Sequence, residues 1–346
     1  MTGTSNREIR LKARPQGAVT RDLFELTETA VPPPGDGEVL IRVHYLSLEP
    51  AMRGWISDAP NYRDPVPLGA VMPGFTVGEV VVSKHSDYAA GEMVFGRQGW
   101  REWALSDGGD IDRKLDPEQA PVTTALHILG LTGITAYLGL TEVGQPKAGE
   151  TVAVSTAAGA VGSAVGQIAK ILGCRTVGLT GADDKVRLCR DEFGYDEAIN
   201  YKTTEDLVGA LANACPDGID VYFDNTGGPI SDAVLQCLSE RARVVICGTM
   251  GIDPGGMTAK DETPLGPRPN RQLLVKRARM EGFLVLDHLD RMDAAVAQLA
   301  AWLRAGKLSY REDIVEGLAA APAAMERLLS GQNQGKMLIR VIQDAR

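Results

Sequence analysis

The sequence has few of the residues that build metal centres, and its charge has the wrong sign for nucleic acid. The 346 residues include four scattered histidines and five cysteines, and no two cysteines are spaced as a CxxC pair. The spacing expected of a zinc site or a redox pair is therefore missing, and we predict no metal. Acidic residues outnumber basic ones by 45 to 36, which argues against nucleic acid or an anionic membrane as the partner.

Long apolar runs are also missing. Two uncharged stretches, 119–141 and 151–169, are interrupted by glycine, serine and threonine, so neither is typical of a membrane-spanning helix. The first residues, MTGTSNRE, lack the apolar stretch of a signal peptide, and the five cysteines are expected to be reduced and partly buried, as in a cytosolic protein. We therefore expect a cytoplasmic protein that acts on a small molecule.

The chain changes character near residue 126. Before it, short β-rich runs are separated by turns rich in proline and glycine, which predicts an all-β module, a barrel. These runs are 22–27, 38–45, 77–82 and 100–105.

After residue 126, strand-like runs recur at intervals of 22 or 24 residues, with a helical stretch in each interval; they begin at 151, 175, 197, 219 and 243. Because parallel strands need a crossover of a dozen residues or more, this rhythm predicts a doubly wound parallel α/β sheet. A sixth strand is predicted at 280–285, a helix at 289–305 and a last strand at 336–342. The stretch 251–269, rich in glycine and proline, is predicted to be a long surface loop.

The strongest local motif opens the second region. Segment 157–162 (AAGAVG) follows the strand-like run 151–155 and begins a predicted helix, which is the context of a dinucleotide-binding fingerprint. Gly159 leaves room for a pyrophosphate to approach the backbone, and Gly162 lets helix and strand pack closely. Ala157 replaces the first glycine of the usual triplet. A tight strand-to-helix turn without a ligand is the alternative interpretation.

The end of the second strand favours NADP over NAD. An NAD site usually places an acidic side chain about 20 residues after the glycines, but this run ends in Leu179-Thr180-Gly181. Lys185 then offers a point charge for a 2'-phosphate, and Tyr201, after the third strand, offers a hydroxyl. Asp183 and Asp184 lie nearby and weaken this argument. Both candidate residues remain open to interpretation as ordinary surface side chains.

Tyr62 is the candidate proton donor. It lies in an irregular stretch, 57–63, between two β-rich runs. A tyrosine is protonated at neutral pH, so it can donate a hydrogen bond to a carbonyl or a proton to an enolate. An ordinary half-buried loop tyrosine is the alternative.

Several stretches together resemble the zinc-independent branch of the medium-chain dehydrogenase/reductase superfamily. The resemblance is greatest to the prostaglandin reductases, leukotriene B4 dehydrogenases and curcumin reductases, which are NADPH-dependent alkenal/one reductases. The stretches span most of the chain in order: 45–54 (YLSLEPAMRG), 133–137 (GITAY), 157–170, 223–228 (FDNTGG), 280–285, 310–317 and 331–336 (GQNQGK).

The resemblance implies a GroES-like catalytic domain, residues 1–126 completed by 312–346, and a Rossmann NADP-binding domain, residues 127–311, with the cofactor in the cleft. It implies that family contacts to NADPH are carried by Thr135, Gly159, Ala160, Val161, Gly162, Lys185, Tyr201, Asn225, Cys247 and Asn333. It also implies that the backbone of Phe283 and Val285 holds the nicotinamide amide. Where zinc-dependent relatives carry metal ligands, this chain reads Leu48-Glu49-Pro50 and Gly74-Phe75-Thr76.

The resulting hypothesis is an enzyme that uses NADPH to reduce the C=C bond of α,β-unsaturated ketones and aldehydes. Hydride would reach the β-carbon, and a proton from Tyr62 or water would reach the α-carbon. The alternatives are a quinone reductase of the same superfamily and a catalytically weak NADPH-binding sensor or structural protein. A homodimer is implied by the resemblance alone.

Overall fold

A computed structural model of the chain describes residues 5–252 and 266–342. Within these ranges the chain divides into two units. Unit 1 consists of residues 5–126 and 312–342, and unit 2 consists of 127–252 and 266–311. None of the helices in these ranges is long and apolar enough to cross a membrane.

The strands, numbered along the chain, are β1 (Ser5–Leu11), β2 (Phe24–Ala30), β3 (Val39–Ser47), β4 (Thr76–Ser83), β5 (Met93–Gly96), β6 (Trp103–Ser106), β7 (Ile111–Leu115), β8 (Thr151–Ser155), β9 (Arg175–Thr180), β10 (Glu197–Asn200), β11 (Ile219–Asp224), β12 (Leu238–Ile246), β13 (Arg279–Gly282), β14 (Glu312–Glu316) and β15 (Lys336–Arg340).

The α-helices are α1 (Met52–Trp55), α2 (Leu131–Leu138), α3 (Ala160–Ile171), α4 (Asp183–Asp191), α5 (Leu207–Ala214), α6 (Gly228–Gln236), α7 (Asn270–Lys276), α8 (Met292–Arg304) and α9 (Ala321–Leu329). Short 3₁₀ helices lie at Arg21–Leu23, Val122–Leu126, Val285–Arg291 and Leu318–Ala320, and a π-helical turn, Gly139–Gly144, follows α2.

Unit 1 is rich in sheet. Its larger sheet has the strand order β14-β15-β3-β4-β5-β7, with β6 paired to β3, and β1 and β2 form a separate antiparallel pair. Strand β3 is buried along most of its length, and only Arg42, His44 and Tyr45 are partly exposed. Trp100, Met52 and Ile339 lie fully buried in one cluster of that core.

Unit 2 is a parallel sheet with helices between successive strands. The strand order is β10-β9-β8-β11-β12-β13, and every neighbouring pair is parallel. Numbered within the sheet this is 3-2-1-4-5-6, the order of dinucleotide-binding folds. Strand β8 is buried along its whole length, which is typical of a strand covered on both faces. The predicted fold class is confirmed.

The first four strands of unit 2 begin at the residues predicted from the sequence. Strand β12 begins at Leu238, earlier than the predicted 243, because its pairing with β11 continues past an irregularity near Arg241, whose φ is +60°. Strand β13 is shorter than predicted, since a 3₁₀ helix starts at Val285. Most of the loop predicted at 251–269 lies outside the described residues.

Candidate cofactor site and active-site tyrosine

The predicted cofactor residues of unit 2 gather at one edge of its sheet. Since the strands are parallel, their carboxyl ends meet at that edge. Segment 159–162 follows β8, Tyr201 follows β10, Asn225 follows β11, Cys247 follows β12, and Phe283 and Val285 follow β13. Lys185 lies in the first turn of α4, just after β9, and Thr135 lies half-buried in α2.

The turn after β8 forms a cradle of backbone groups. Thr156 adopts a left-handed φ of +53°, and Gly159 caps α3 without a side-chain hydrogen bond. A side chain at Gly162 would collide with the Thr156 carbonyl oxygen, so the close approach of helix and strand requires glycine there. The N–H groups of the first turn of α3, at Ala160 and Val161, are the kind of donors that bind a pyrophosphate.

Asn225 joins the two central strands where the strand order reverses. Its backbone N–H donates to Ser155 Oγ at 2.8 Å, and its side-chain Nδ2 donates to the Ser155 carbonyl oxygen at 2.7 Å. Strands β8 and β11 are neighbours there. Ligands of doubly wound sheets bind at such a switch point, and these two bonds hold Asn225 against the end of β8 there.

Asp224, which the sequence analysis did not single out, organises the next loop. This buried carboxylate accepts hydrogen bonds from the backbone N–H groups of Thr226 (3.0 Å) and Gly227 (2.8 Å), from the Tyr222 hydroxyl (3.0 Å) and from Ser231 Oγ. Four donors explain how a charge is held inside the protein. Its signal in the sequence is its place inside the FDNTGG segment, next to Asn225.

Cys247 is held beside this loop as a neutral thiol. Its backbone N–H donates to the Asp224 carbonyl oxygen at 2.8 Å. Burial, with the nearby Asp224 carboxylate, raises the pKa of the Cys247 thiol to about 12. Since the thiolate is the nucleophilic form, the neutral Cys247 thiol is not suited to covalent chemistry.

The end of β9 carries polar donors and a cation but no carboxylate at its tip. A Cβ atom built on Gly181 would lie 2.8 Å from the Tyr201 hydroxyl oxygen and 3.1 Å from Lys202 Cε. Burial raises the pKa of Tyr201, so its hydroxyl is protonated and able to donate. Lys202 is a second cation at this place that the sequence analysis missed, although it directly follows Tyr201.

Asp183 and Asp184, the two acidic residues that weakened the argument for NADP, both accept hydrogen bonds from neighbouring residues. Asn200 Nδ2 donates to Asp183 Oδ1 at 2.6 Å, and the Lys185 backbone N–H donates to Asp184 Oδ1 at 2.9 Å. Both carboxylates are thereby tied to the start of α4, where negative charge is favoured.

Phe283 is fixed by both its backbone and its ring. Its N–H donates to the Ile246 carbonyl oxygen at 2.9 Å, and its ring stacks on His288 with centroids 5.1 Å apart. Because that N–H is already used, the Phe283 backbone can offer a ligand its carbonyl oxygen only. A carbonyl oxygen is the kind of group that accepts a hydrogen bond from an amide NH₂, and the contact to the nicotinamide amide stays a prediction.

In unit 1, Tyr62 and Asn333 have different surroundings. The Tyr62 side chain is half exposed, and its hydroxyl oxygen accepts a hydrogen bond from Trp55 Nε1 at 2.9 Å. The Arg63 guanidinium lies 4.5 Å from the centre of the Trp55 ring. Asn333 is buried, and its Nδ2 donates to the Gly335 carbonyl oxygen at 2.7 Å.

An ion pair occupies the place where zinc-dependent relatives carry a metal ligand. Lys336 Nζ lies 2.6 Å from Glu49 Oε1, and Ser47 Oγ donates to the same oxygen at 2.6 Å. Across residues 5–252 and 266–342, the structure contains no group of three or more His, Cys, Asp or Glu side chains placed to hold a metal ion.

Two family models match the chain. The model described as the N-terminal domain of oxidoreductase matches residues 7–113, and the model described as zinc-binding dehydrogenase matches residues 160–302. The first match lies in unit 1 and the second in unit 2.

Curated relatives match over nearly the full length. A putative NADP-dependent oxidoreductase of Bacillus subtilis is 46% identical over 337 residues, covering 97% of this chain and 98% of the relative. The NADPH-dependent curcumin reductase of Escherichia coli is 42% identical and covers 98% of each chain. A 2-alkenal reductase (NADP(+)-dependent) of Nicotiana tabacum is 37% identical, covering 97% of this chain and 98% of the relative.

Solved structures show the same architecture. CurA from Vibrio vulnificus in complex with NADPH has a TM-score of 0.90 and 42% identity, covering 97% of this chain and 99% of that one. An Escherichia coli quinone oxidoreductase complexed with NADPH has a TM-score of 0.77 at 20% identity, covering 96% of this chain and 99% of that one, which is a likeness of fold alone.

Proposed function

Since this chain belongs to the medium-chain dehydrogenase/reductase superfamily, alongside the curcumin, prostaglandin and 2-alkenal reductases, we propose how its own residues serve the reaction of that group. The chain is an NADP-dependent double-bond reductase of α,β-unsaturated ketones and aldehydes. The curated relatives carry the assignment of double-bond reduction, and the observation in this structure that supports NADP as the cofactor is the cradle at the carboxyl edge of unit 2. Backbone donors open α3 there, and the end of β9 presents Tyr201 and Lys202 where an NAD site carries an acid.

NADPH supplies the hydride that is added to the β-carbon of the substrate. The first turn of α3 would hold its pyrophosphate, and Lys185, Tyr201 and Lys202 would hold its 2'-phosphate. The nicotinamide side would be held by groups of unit 2 that follow the neighbouring strands, together with one residue of α2: Thr135, Asn225, Cys247, Phe283 and Val285. Asn333 is proposed as a cofactor contact on the sequence resemblance alone.

Tyr62 is proposed as the donor that meets the developing enolate. As electrons move onto the carbonyl oxygen of the substrate, a hydrogen bond from the Tyr62 hydroxyl stabilises the charge there. One such donor contributes about 2 to 4 kcal/mol in comparable oxyanion sites. The proton that completes the reduction at the α-carbon comes from Tyr62 or from water.

The proposed reaction is tested by following the absorbance band of reduced nicotinamide in the presence of a panel of enones, alkenals and quinones. We expect oxidation of NADPH with the enones and alkenals, and a saturated ketone or aldehyde as product. Turnover confined to quinones would favour the quinone reductase alternative. Tight NADPH binding without turnover of any acceptor would favour the sensor or structural alternative.

Replacing Tyr62 by phenylalanine is expected to lower kcat for an enone about a hundredfold, because one donor to the enolate oxygen is removed. The Kd of NADPH, measured by fluorescence titration, should not change. Tyr88→Phe, at another tyrosine of unit 1, is the matched control and should leave kcat unchanged. An unchanged kcat in Tyr62→Phe would assign the proton to water.

We further propose that residues 1–126 with 312–346 form the catalytic domain, and residues 127–311 the NADP-binding domain. We also propose that the protein is cytoplasmic, because its five cysteines are all free, as expected in a reducing compartment.

A homodimer is proposed through the β13 side of unit 2. Strand β13 ends the strand order among the described residues and is largely exposed, and Leu274, Val275 and Leu289 are exposed large apolar side chains. An exposed edge strand flanked by apolar side chains is suited to pair with a second copy.

The dimer is tested by light scattering after size-exclusion chromatography. The mass of one chain is 36.9 kDa, and we expect about twice that value. Leu274→Asp/Leu289→Asp should yield the monomer, whereas Leu68→Asp, at an exposed leucine of unit 1, should remain dimeric. A monomeric parent protein would contradict the proposal.

A further inference from the structure

We propose that Trp55 is the positioning residue of Tyr62: its indole N–H holds the phenol oxygen so that the hydroxyl proton of Tyr62 is left for the substrate. The inference rests on the proton-donor role proposed for Tyr62 above. It assigns a function to a side chain that touches neither cofactor nor substrate in the proposed reaction.

The direction of the Trp55–Tyr62 hydrogen bond is fixed by chemistry. An indole nitrogen has one proton and accepts no hydrogen bond, so Trp55 can only donate. The Tyr62 oxygen, 2.9 Å from Trp55 Nε1, is therefore the acceptor. The single hydroxyl proton of Tyr62 takes no part in this bond and remains available to an acceptor on another side. The half-exposed state of the Tyr62 side chain leaves such a side open.

Trp55 is held by the core and by its backbone, whereas Tyr62 lies in an irregular segment. Trp55 ends α1 and lies buried in the core cluster of unit 1 with Met52 and Ile56. Its carbonyl oxygen accepts the Val66 N–H at 2.8 Å, and the Arg63 guanidinium lies 4.5 Å from the centre of its ring. A loop tyrosine tied to a fixed donor has fewer orientations to lose when the substrate binds, which is how a supporting residue preorganises a donor.

The same bond supports Tyr62 while it transfers its proton. The O–H bond of Tyr62 breaks and a C–H bond forms at the α-carbon of the enolate, so one negative charge moves from the enolate to the phenol oxygen. The indole N–H already points at that oxygen, and a hydrogen bond to a charged oxygen is stronger than one to a neutral oxygen. Water then returns a proton to Tyr62.

Trp55→Phe tests this inference because it keeps an aromatic ring in the core but removes the N–H. We expect kcat for an enone to fall about tenfold, the size of effect of one hydrogen bond to a charged group, while the Kd of NADPH stays unchanged. The solvent deuterium isotope effect on kcat should rise, because proton transfer becomes slower. Trp103→Phe, at another tryptophan of unit 1 that packs against Arg42, is the matched control and should behave like the parent protein.

A double-mutant cycle separates positioning from a merely structural role. In the Tyr62→Phe background, Trp55→Phe should cause no further loss of kcat, because the group through which it acts is already gone. If the two losses multiply instead, Trp55 acts independently of Tyr62 and the inference is overturned, whereas the proposed reaction stands. If Tyr62→Phe alone leaves kcat unchanged, the donor role fails first and the positioning role falls with it.

Trp55→His provides a second variant in case Trp55→Phe does not fold, which circular dichroism and thermal melting would reveal. Its imidazole keeps an N–H donor, so Trp55→His should retain more of kcat than Trp55→Phe. If Trp55→Phe does not fold, Trp55→Leu serves as the variant without a donor. Equal losses in the variants with and without a donor would overturn the inference.

Discussion

Replacing Lys336 by methionine is expected to lower the free energy of unfolding by about 3–5 kcal/mol, the usual cost of breaking a buried ion pair. The Lys336 side chain is 2% exposed, and its Nζ lies 2.6 Å from Glu49 Oε1 and 3.2 Å from the Leu48 carbonyl oxygen. Without the ammonium group, the Glu49 carboxylate loses its counter-charge in a site from which water is largely excluded. Urea unfolding followed by tryptophan fluorescence measures the change.

An exposed ion pair with a similar distance between its charged atoms provides the control for Lys336→Met. Lys114 Nζ lies 2.8 Å from Glu92 Oε1, but the two side chains are 47% and 32% exposed. Lys114→Met should therefore cost less than about 1 kcal/mol. The double variant Lys336→Met/Glu49→Leu should recover much of the stability lost in Lys336→Met, because no unpaired charge remains. Equal losses at the buried and the exposed pair would show that burial does not decide the cost.

The Glu49–Lys336 pair also shows what sequence reasoning could and could not provide. The resemblance identified Leu48-Glu49-Pro50 as the place where zinc-dependent relatives carry a ligand. The side chain that faces Glu49 was not predictable, because Lys336 lies 287 residues away along the chain. Sequence spacing reports neighbours within one helix or strand, whereas this pair depends on the tertiary packing of two strands.

The sheet of unit 2 was predictable because its repeat is long and regular. Strands that alternate with helices repeat at an interval that local sequence variation does not hide, and β8, β9, β10 and β11 begin at their predicted residues. In unit 1 four strands were missed: Ser5–Leu11, Met93–Gly96, Ile111–Leu115 and Glu312–Glu316. Three of them have only four or five residues, which give too few alternations to distinguish a strand from a loop.

The candidate site also has a part that the sequence predicts and a part that it does not. The fingerprint segment 157–162 could be predicted, because the backbone conformation of this turn itself requires its glycines. The network around Asp224 depends on groups from separate elements, such as Ser231 in α6. Lys202 was missed because only the fold brings it beside Gly181, the residue that follows a neighbouring strand.

The closeness of Lys202 to Gly181 leads to the second large effect. The double variant Lys185→Ala/Lys202→Ala is expected to lower the preference for NADPH over NADH about a thousandfold. Each ammonium lost removes a charge-assisted contact to the 2'-phosphate of roughly 1.5–3 kcal/mol, and every 1.4 kcal/mol changes a Kd about tenfold. NADH lacks that phosphate, so its Kd should change little. Fluorescence titration with both cofactors gives the two constants.

The single variants assign the loss to each lysine. Lys185→Ala and Lys202→Ala should each weaken NADPH binding, and the effect should decrease as salt is added, because exposed charges are screened. Lys307→Ala, at an exposed lysine of unit 2, is the control and should leave both constants unchanged. If NADPH and NADH weakened equally in the double variant, the lysines would support the fold of this edge rather than recognise the 2'-phosphate. The end of β9 would then owe its selectivity to the hydroxyl of Tyr201, and Tyr201→Phe would carry the discrimination instead.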